Sequence, residues 1–352
     1  MHTNLIERAH LGIRRLFAIA IMVALPTLLA ACGGVIPLDN RHNVPLPSTA
    51  LTRLASLGSS PREAMMIRIY KESSELEVWK RTKDGTYKLF DTYEICAWSG
   101  ELGPKIKEGD RQAPEGFYTI TPGLLNPKSS YYLSFNTGFP NKYDRSYGRT
   151  GTNLMVHGDC SSSGCYAMTD EQIKVVYALA RESFEGGNAS VALEMFPFRM
   201  TPENLARHST SPNLPFWKNL KEGYDVFELT RRPPTWDVCG RTYVFNALSK
   251  SGQQLSAVAA CPPLLRDENL TASLESKRIA DDARFETEVA ALSLRAAKEA
   301  GEAERAAKEA AALKARGEAI DGFVAGVFGS TPPATSDSAI KAPVPATRLP
   351  PG

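Results

Sequence analysis

"LMVHGDCSSSGCYAMTD", residues 154–170, runs from three apolar residues through one histidine, two cysteines, three serines and two glycines to the start of a helix. Leu154, Met155 and Val156 read as a strand that leaves His157 at its end, where a side chain is held rigidly. On the far side Thr169 is placed to cap a helix, with Gln172 in the capping-box position. Ile173, Val176, Tyr177, Ala180 and Phe184 then fall on one face, and Gly186-Gly187 stops the helix. Cys165 therefore lies shortly before a helix N-terminus, eight residues after His157. A helix N-terminus and a neighbouring imidazole both favour a thiolate, so Cys165 and His157 form a candidate nucleophile and base. Gly164 permits a tight turn, and the N–H groups around Gly164 and Cys165 are candidate oxyanion donors.

Outward from this stretch the pattern is that of short strands. "MMIRIY" (65–70), "LEVWK" (76–80), "YKLFDTYEICAW" (87–98), "GFYTI" (116–120), "YYLSF" (131–135) and "VALEMFPF" (191–198) are β-type runs, with Asp84-Gly85 as a hairpin signal. The expected fold class is β-rich α+β, over a domain spanning residues 61–265. From 271 to 320 the chain becomes Ala-, Glu- and Lys-rich, with "RAAKEAGEAE" (295–304) followed by the near-repeat "RAAKEAAALK" (305–314). That segment predicts a long helix whose apolar face is mostly alanine, a solvated stalk in preference to a partner-binding element. Residues 330–352 are Pro-rich and predict a disordered tail.

The N-terminus is of another kind. Arg8, Arg14 and Arg15 precede an uncharged run from Leu16 to Ala31, the length of a signal h-region and short for a membrane span. It ends in "LAAC", so residues 1–31 read as a lipoprotein signal peptide and Cys32 as the lipidated first residue. Residues 32–60, with Pro37, Pro45 and Pro47, read as a flexible tether. The expected location is periplasmic, on the outer membrane in preference to the inner. A formal net charge of +2 gives no pull toward nucleic acid.

Six cysteines in an exported chain point to disulfides. With Cys32 lipidated and Cys165 free, four remain, and Cys239 with Cys261 is the first expected pair. A bond from Cys160 to Cys165 would silence the latter thiol. Of the five histidines only His157 and His208 lie in the folded region. A zinc site of His157, Cys160 and Cys165 with a fourth cysteine is a competing reading, although its spacing matches no common zinc motif.

"HGDCSSSGCYAMTD", preceded by "KEGDRQAPEGFYTI" (107–120) and "DRSYGRTGTNLMV" (144–156), resembles the YkuD-type L,D-transpeptidase catalytic domain, in particular its YafK-like branch. The resemblance spans about Ile67 to Phe198 and implies a mixed β-sandwich with short helices. It implies an enzyme of peptidoglycan whose cysteine attacks a diaminopimelate carbonyl in a stem peptide, expels D-alanine and passes the acyl group to an amine. By motif position the nucleophile maps to Cys165 and the base to His157, with no metal or organic cofactor. Compared with the commonest family block, Ser163 stands where a second histidine would be and Ala167 where an arginine would be. Those departures leave open an amidase that resolves the same acyl-enzyme with water and detaches proteins from peptidoglycan. A non-catalytic wall-binding lipoprotein is the further alternative. Arg145 and Arg149 are candidates for the stem carboxylates, and Ser162, Ser163 and Tyr166 for other substrate contacts.

Overall fold

The computed structural model describes residues 39–329. The chain divides into two compact units, Met1–Arg41 and His42–Gly352, and the elements below lie in the second. The segment expected to be a signal peptide, the expected lipidation site Cys32 and the Pro-rich tail fall outside the described residues.

Helix α1 (Ser48–Leu57) precedes strands β1 (Met65–Tyr70), β2 (Glu75–Arg81), β3 (Tyr87–Glu94), β4 (Ala97–Trp98), β5 (Gly116–Ile120), β6 (Leu125–Asn126) and β7 (Ser134–Asn136). Then come α2 (Lys142–Ser146), β8 (Met155–His157), β9 (Tyr166–Ala167), α3 (Asp170–Glu185), β10 (Val191–Phe196), α4 (Pro202–Arg207) and α5 (Leu214–Thr230). The short strands β11 (Trp236–Cys239), β12 (Thr242–Phe245), β13 (Ala247–Ser249) and β14 (Leu264–Arg266) lead into the long helix α6 (Glu268–Phe328).

Two five-stranded mixed sheets form the body. The first runs β3-β2-β1-β10-β5 and is antiparallel except for β1 with β10; the second runs β4-β9-β8-β7-β6 and is antiparallel except for β8 with β9. Alternation along a strand sends successive side chains to opposite faces. Ile67 and Ile69 of β1 join a core shared with Phe135, Val156 and Tyr166 of the second sheet and with Ile173 and Val176 of α3. Tyr70 of β1, Phe117 of β5 and Phe196 of β10 enter a separate core with Trp217 and Leu220 of α5 and Phe285 of α6. The first sheet is thus a middle layer, and β1 is buried along its whole length.

Arg68 and Lys71 on that layer are paired with carboxylates, whereas the buried Lys80 of β2 donates to the Pro61 and Glu63 carbonyls. Arg68 donates to Glu194 at 2.6 Å and to Glu228 at 2.7 Å, with its guanidinium 4.1 Å from the Phe227 ring centroid. Lys71 and Glu115, both fully buried, pair at 2.9 Å; Lys71 also donates to the Gly103 carbonyl, and Glu115 accepts from Gly103 N–H and Trp217 Nε1. These bonds peg both ends of the segment from Gly103 to Glu115.

Two expectations about the chain's organisation are corrected. Residues 46–57 are not tether: Leu46, Ala50 and Leu54, spaced by four, are buried in the first core, and Arg181 donates to the Val44 carbonyl at 3.2 Å. The long helix does not simply extend away. It begins at Glu268, docks Leu274, Phe285, Val289 and Leu292 on the second core, and ties Asp281 to Lys221 of α5 at 2.5 Å. Among the described residues no helix is long and apolar enough to cross a membrane.

Candidate active site

The site is assembled where the second sheet switches to parallel pairing. Val156 lies opposite Tyr166 and His157 opposite Ala167. Cys165 is the residue just before β9, and its thiol sits against β8, where it receives the N–H of Met155, two residues ahead of His157 on the same strand. The small Ala167 is the residue directly across from the imidazole.

His157 is buried and lies against Tyr131, with ring centroids 4.7 Å apart. Its Nδ1 is 2.5 Å from the Gly158 carbonyl oxygen. A carbonyl only accepts, so Nδ1 carries the proton in the neutral ring and Nε2 is left as the basic nitrogen. Nε2 has no hydrogen bond among the described residues. Burial pushes the imidazole below its ordinary value, against the Gly158 carbonyl and Asp159, which pull the other way. The ring is neutral at pH 7, the form a general base needs.

Cys165 is the one free cysteine among the described residues. Its Sγ accepts from Met155 N–H at 3.4 Å and faces the Asn153 carbonyl at 3.6 Å. Burial pushes the thiol up, partly offset by the Met155 N–H and the charge on Lys105. This corrects the expectation of a thiolate prepared by a helix N-terminus. Strand β9 intervenes between Cys165 and α3, and desolvation dominates.

The loop between the two residues is closely specified. Cys160 is bonded to Cys96, and Cys239 to Cys261. The first disulfide fastens the loop to the residue ahead of β4, whose Cys96 N–H also donates to the Ala167 carbonyl at 3.0 Å. It also leaves Cys165 unbonded and removes the thiols that the zinc reading required. Ser162 Oγ donates to the Cys165 carbonyl at 2.7 Å and accepts from Cys165 N–H at 3.2 Å, so Ser162 shapes the turn and the Cys165 N–H is already engaged. The N–H of Gly164 has no partner among the described residues and remains the better oxyanion donor. Gly164 needs its glycine for φ +117°, whereas Gly158 needs it for space, since a Cβ there would lie 2.4 Å from Asp170 Oδ1. Asn153, whose carbonyl faces the thiol, and Arg111, whose backbone lies beside Gly164, also adopt positive φ, as do Asp159 and Cys160 in the connecting loop.

The remaining expected contacts are redistributed. Arg149 is buried, pairs with Asp144 at 3.0 Å and lies over the Tyr143 and Phe216 rings, so it serves the fold and not a ligand carboxylate. Tyr166 is fully buried, its hydroxyl donating to the Pro114 carbonyl at 2.7 Å, which makes it core. Arg145 is exposed and donates to the Pro140 carbonyl; Ser163 is exposed in the loop. His208 binds Glu72 at 2.8 Å and stacks on Phe198, away from the loop of residues 158–165.

Sequence reasoning did not single out Tyr131, Lys105 or Asp110. Lys105 and Asp110 pair at 2.5 Å. Although burial opposes the charge, Lys105 and the N–H groups of Lys107, Gln112 and Ile106 hold the Asp110 carboxyl at about 2. That knot folds the 103–115 segment beside the site: the Arg111 backbone is 3.8 Å from where a Gly164 Cβ would be, and Ser99 Oγ donates to the Arg111 carbonyl. The Asp-x-x-x-Pro-Glu-Gly spacing from Asp110 to Gly116 was the available signal.

A thiol and a neutral imidazole where β8 and β9 join are the equipment of covalent acyl transfer. The L,D-transpeptidase catalytic domain family, YkuD, matches residues 66–187. The chain is 46% identical over 180 residues, 51% of its length, to YafK of Escherichia coli (strain K12), itself assigned as an L,D-transpeptidase only provisionally, and covers 73% of that protein. The YafK of Escherichia coli O157:H7 matches equally. Among solved structures, the helical cell shape determining protein Pgp2 (K307A mutant) of Campylobacter jejuni is 21% identical with a TM-score of 0.31, over 46% of this chain and 56% of that one. Bd1075 of Bdellovibrio bacteriovorus is 18% identical with a TM-score of 0.27, over 47% of this chain and 60% of that one. The 46% identity to YafK over most of that protein, with the family match over residues 66–187, shows that the chain belongs to the YkuD family of L,D-transpeptidase catalytic domains.

Proposed function

We propose that this protein is a peptidoglycan-modifying acyltransferase with Cys165 as nucleophile and His157 as general base. The observation that carries the proposal is the parallel pairing of β8 with β9, which brings the Cys165 thiol against Met155 of the strand that ends in His157, with Nδ1 of His157 committed to the Gly158 carbonyl. Both groups rest uncharged, so the thiol proton moves to Nε2 as sulfur attacks the carbonyl of the diaminopimelate residue. The carbonyl oxygen takes the negative charge, and the Gly164 N–H, next to the nucleophile in the chain, is the candidate donor to it. Collapse of the tetrahedral adduct breaks the amide bond, and the leaving D-alanine amine takes the proton from His157. The thioester then passes to an amine of a second stem peptide or of a wall-attached protein, expelling the thiol.

On this reading the chain works in the periplasm, anchored by a lipid at Cys32 to the outer membrane in preference to the inner. Purified protein incubated with tetrapeptide muropeptides and, separately, with protein-bearing sacculi should release D-alanine and form new cross-links or exchanged residues, detected by mass spectrometry. Cysteine-dependent release with incorporation of water and no new amide would make it a hydrolase of the same bonds. No change in either substrate would leave a wall-binding lipoprotein and overturn the enzymatic reading.

A further inference from the structure

The docked part of α6 ends near Leu292, and from residue 293 to 327 every residue but Gly301 is exposed. This stretch nevertheless carries large apolar residues. Leu313, Ile320, Phe323, Val324 and Val327 lie open to solvent, Leu313 at 69% of its full exposure.

Their spacing is regular. Taking Ala303, Ala310, Gly317 and Val324 as a positions makes Ala306, Leu313, Ile320 and Val327 the d positions, an unbroken seam of small or apolar residues at the 3.5-residue period of a coiled coil. The seam grows bulkier toward the C-terminal end. The flanking charges fit the same frame: Glu309 and Arg316 occupy g positions, and Lys314 and Asp321 occupy e positions.

In a parallel, in-register pair of helices each g residue meets the e residue five positions on in its partner. Glu309 then meets Lys314, and Arg316 meets Asp321, in both directions. Every antiparallel register that keeps the seam together satisfies at most one of these two kinds of pair. Within the chain Glu309, Arg316 and Asp321 form no ion pair among the described residues, and Lys314 only approaches Glu318 at 3.9 Å. By contrast Lys308, outside the frame's e and g positions, is paired with Glu304 at 2.7 Å.

We propose that residues 303–327 of α6 associate with the same segment of a second copy as a parallel two-stranded coiled coil. A small-residue seam lets the helices approach closely, the bulkier end supplies the burial, and the g–e pairs fix orientation and register. The expectation of a solvated stalk is thereby replaced by a dimer whose catalytic domains share one end of the coil. The seam lies beyond the docked part of α6, so the association is independent of the chemistry at Cys165.

The test is the solution mass of the purified full-length protein by light scattering or sedimentation at tens of micromolar. The expected value is the mass of two chains, falling to one chain in Leu313→Glu/Ile320→Glu/Val324→Glu. Far-ultraviolet circular dichroism and thermal unfolding of the catalytic domain distinguish lost association from lost folding. Arg316→Asp should weaken the dimer, and Arg316→Asp/Asp321→Arg should restore it. In a Cys165→Ala background, Ile320→Cys should form an intermolecular disulfide under mild oxidation, because only the parallel register brings position 320 against itself. A single-chain mass for the native protein, a dimer untouched by the triple substitution, or a dimer that fails to crosslink through residue 320 would each overturn the proposal.

Discussion

Strand β1 offers six consecutive buried residues and β2, β3 and β10 run to between six and eight, whereas β8 and β9, which carry the candidate site, contribute three and two. In the first sheet both faces of β1 meet a core, and the buried Arg68 and Lys71 are neutralised by Glu194 and Glu115. In the second the strands are brief, the connections are polar, and positive φ recurs at Asn153, Asp159, Cys160 and Gly164. One sheet supplies burial, and the other holds two side chains on short strands between tightly bonded loops. The comparison teaches that removing a group from one sheet should cost stability, and from the other, chemistry.

The sharpest way to break that division is to exchange the effects. His157→Ala should reduce acylation about 10²- to 10⁴-fold, the usual contribution of a positioned base, at a smaller cost in melting temperature than Arg68→Met. Arg68→Met should do the reverse. It strands the buried Glu194 carboxylate and should destabilise by about 3–5 kcal/mol, with activity per folded molecule unchanged. Arg68→Met/Glu194→Met should recover much of that loss, because the uncompensated charge is gone. Calorimetry beside a muropeptide assay reads both, and a His157→Ala protein that unfolds early while retaining activity would contradict the division.

The two disulfides provide a finer comparison. Cys96–Cys160 spans 64 residues and Cys239–Cys261 spans 22, so loop-closure entropy assigns them about 4 and about 3 kcal/mol. Their removal should cost similar stability. Only the first is fastened to the loop leading to Cys165, so Cys96→Ala/Cys160→Ala should lower activity per folded molecule well beyond Cys239→Ala/Cys261→Ala. Equal activity in the two variants would show that the Ser162 turn alone positions the thiol.

The smallest effect is that of pH. His157 titrates below its ordinary value of about 6.5, so the neutral base is retained through neutrality and activity should fall only on its acid side. The same group favours the fold in its neutral form. Its contribution is present above about pH 6.5 and is lost as pH falls toward the depressed value. An acid limb centred above pH 7 would mean that an interaction absent from this geometry raises the imidazole.

What the sequence disclosed follows the same line. "MMIRIY" and "GFYTI" coincide with β1 and β5, the Thr169–Gln172 box caps α3 as read, and Gly85 takes φ +81° in the Asp84-Gly85 turn. These features depend on neighbours in the chain. The parallel pairing of β8 with β9 joins residues across a loop and was not visible in either strand, although His157 and Cys165 were. Arg149 was misjudged because its environment is tertiary: Asp144 and two aromatic rings surround it only after α2 and α5 meet. Helix α1 escaped notice because prolines dominate the reading around it, while its buried spacing of Leu46, Ala50 and Leu54 is weak in isolation.

The central claim is that Cys165 becomes acylated. Intact-mass measurement of the native protein quenched in acid after brief exposure to tetrapeptide muropeptides tests it directly. The predicted result is a covalent adduct of the stem peptide less its terminal D-alanine, mapped by peptide mass to Cys165 and absent from Cys165→Ala. Turnover that persists in Cys165→Ala, or an adduct mapped to another residue, would contradict the account.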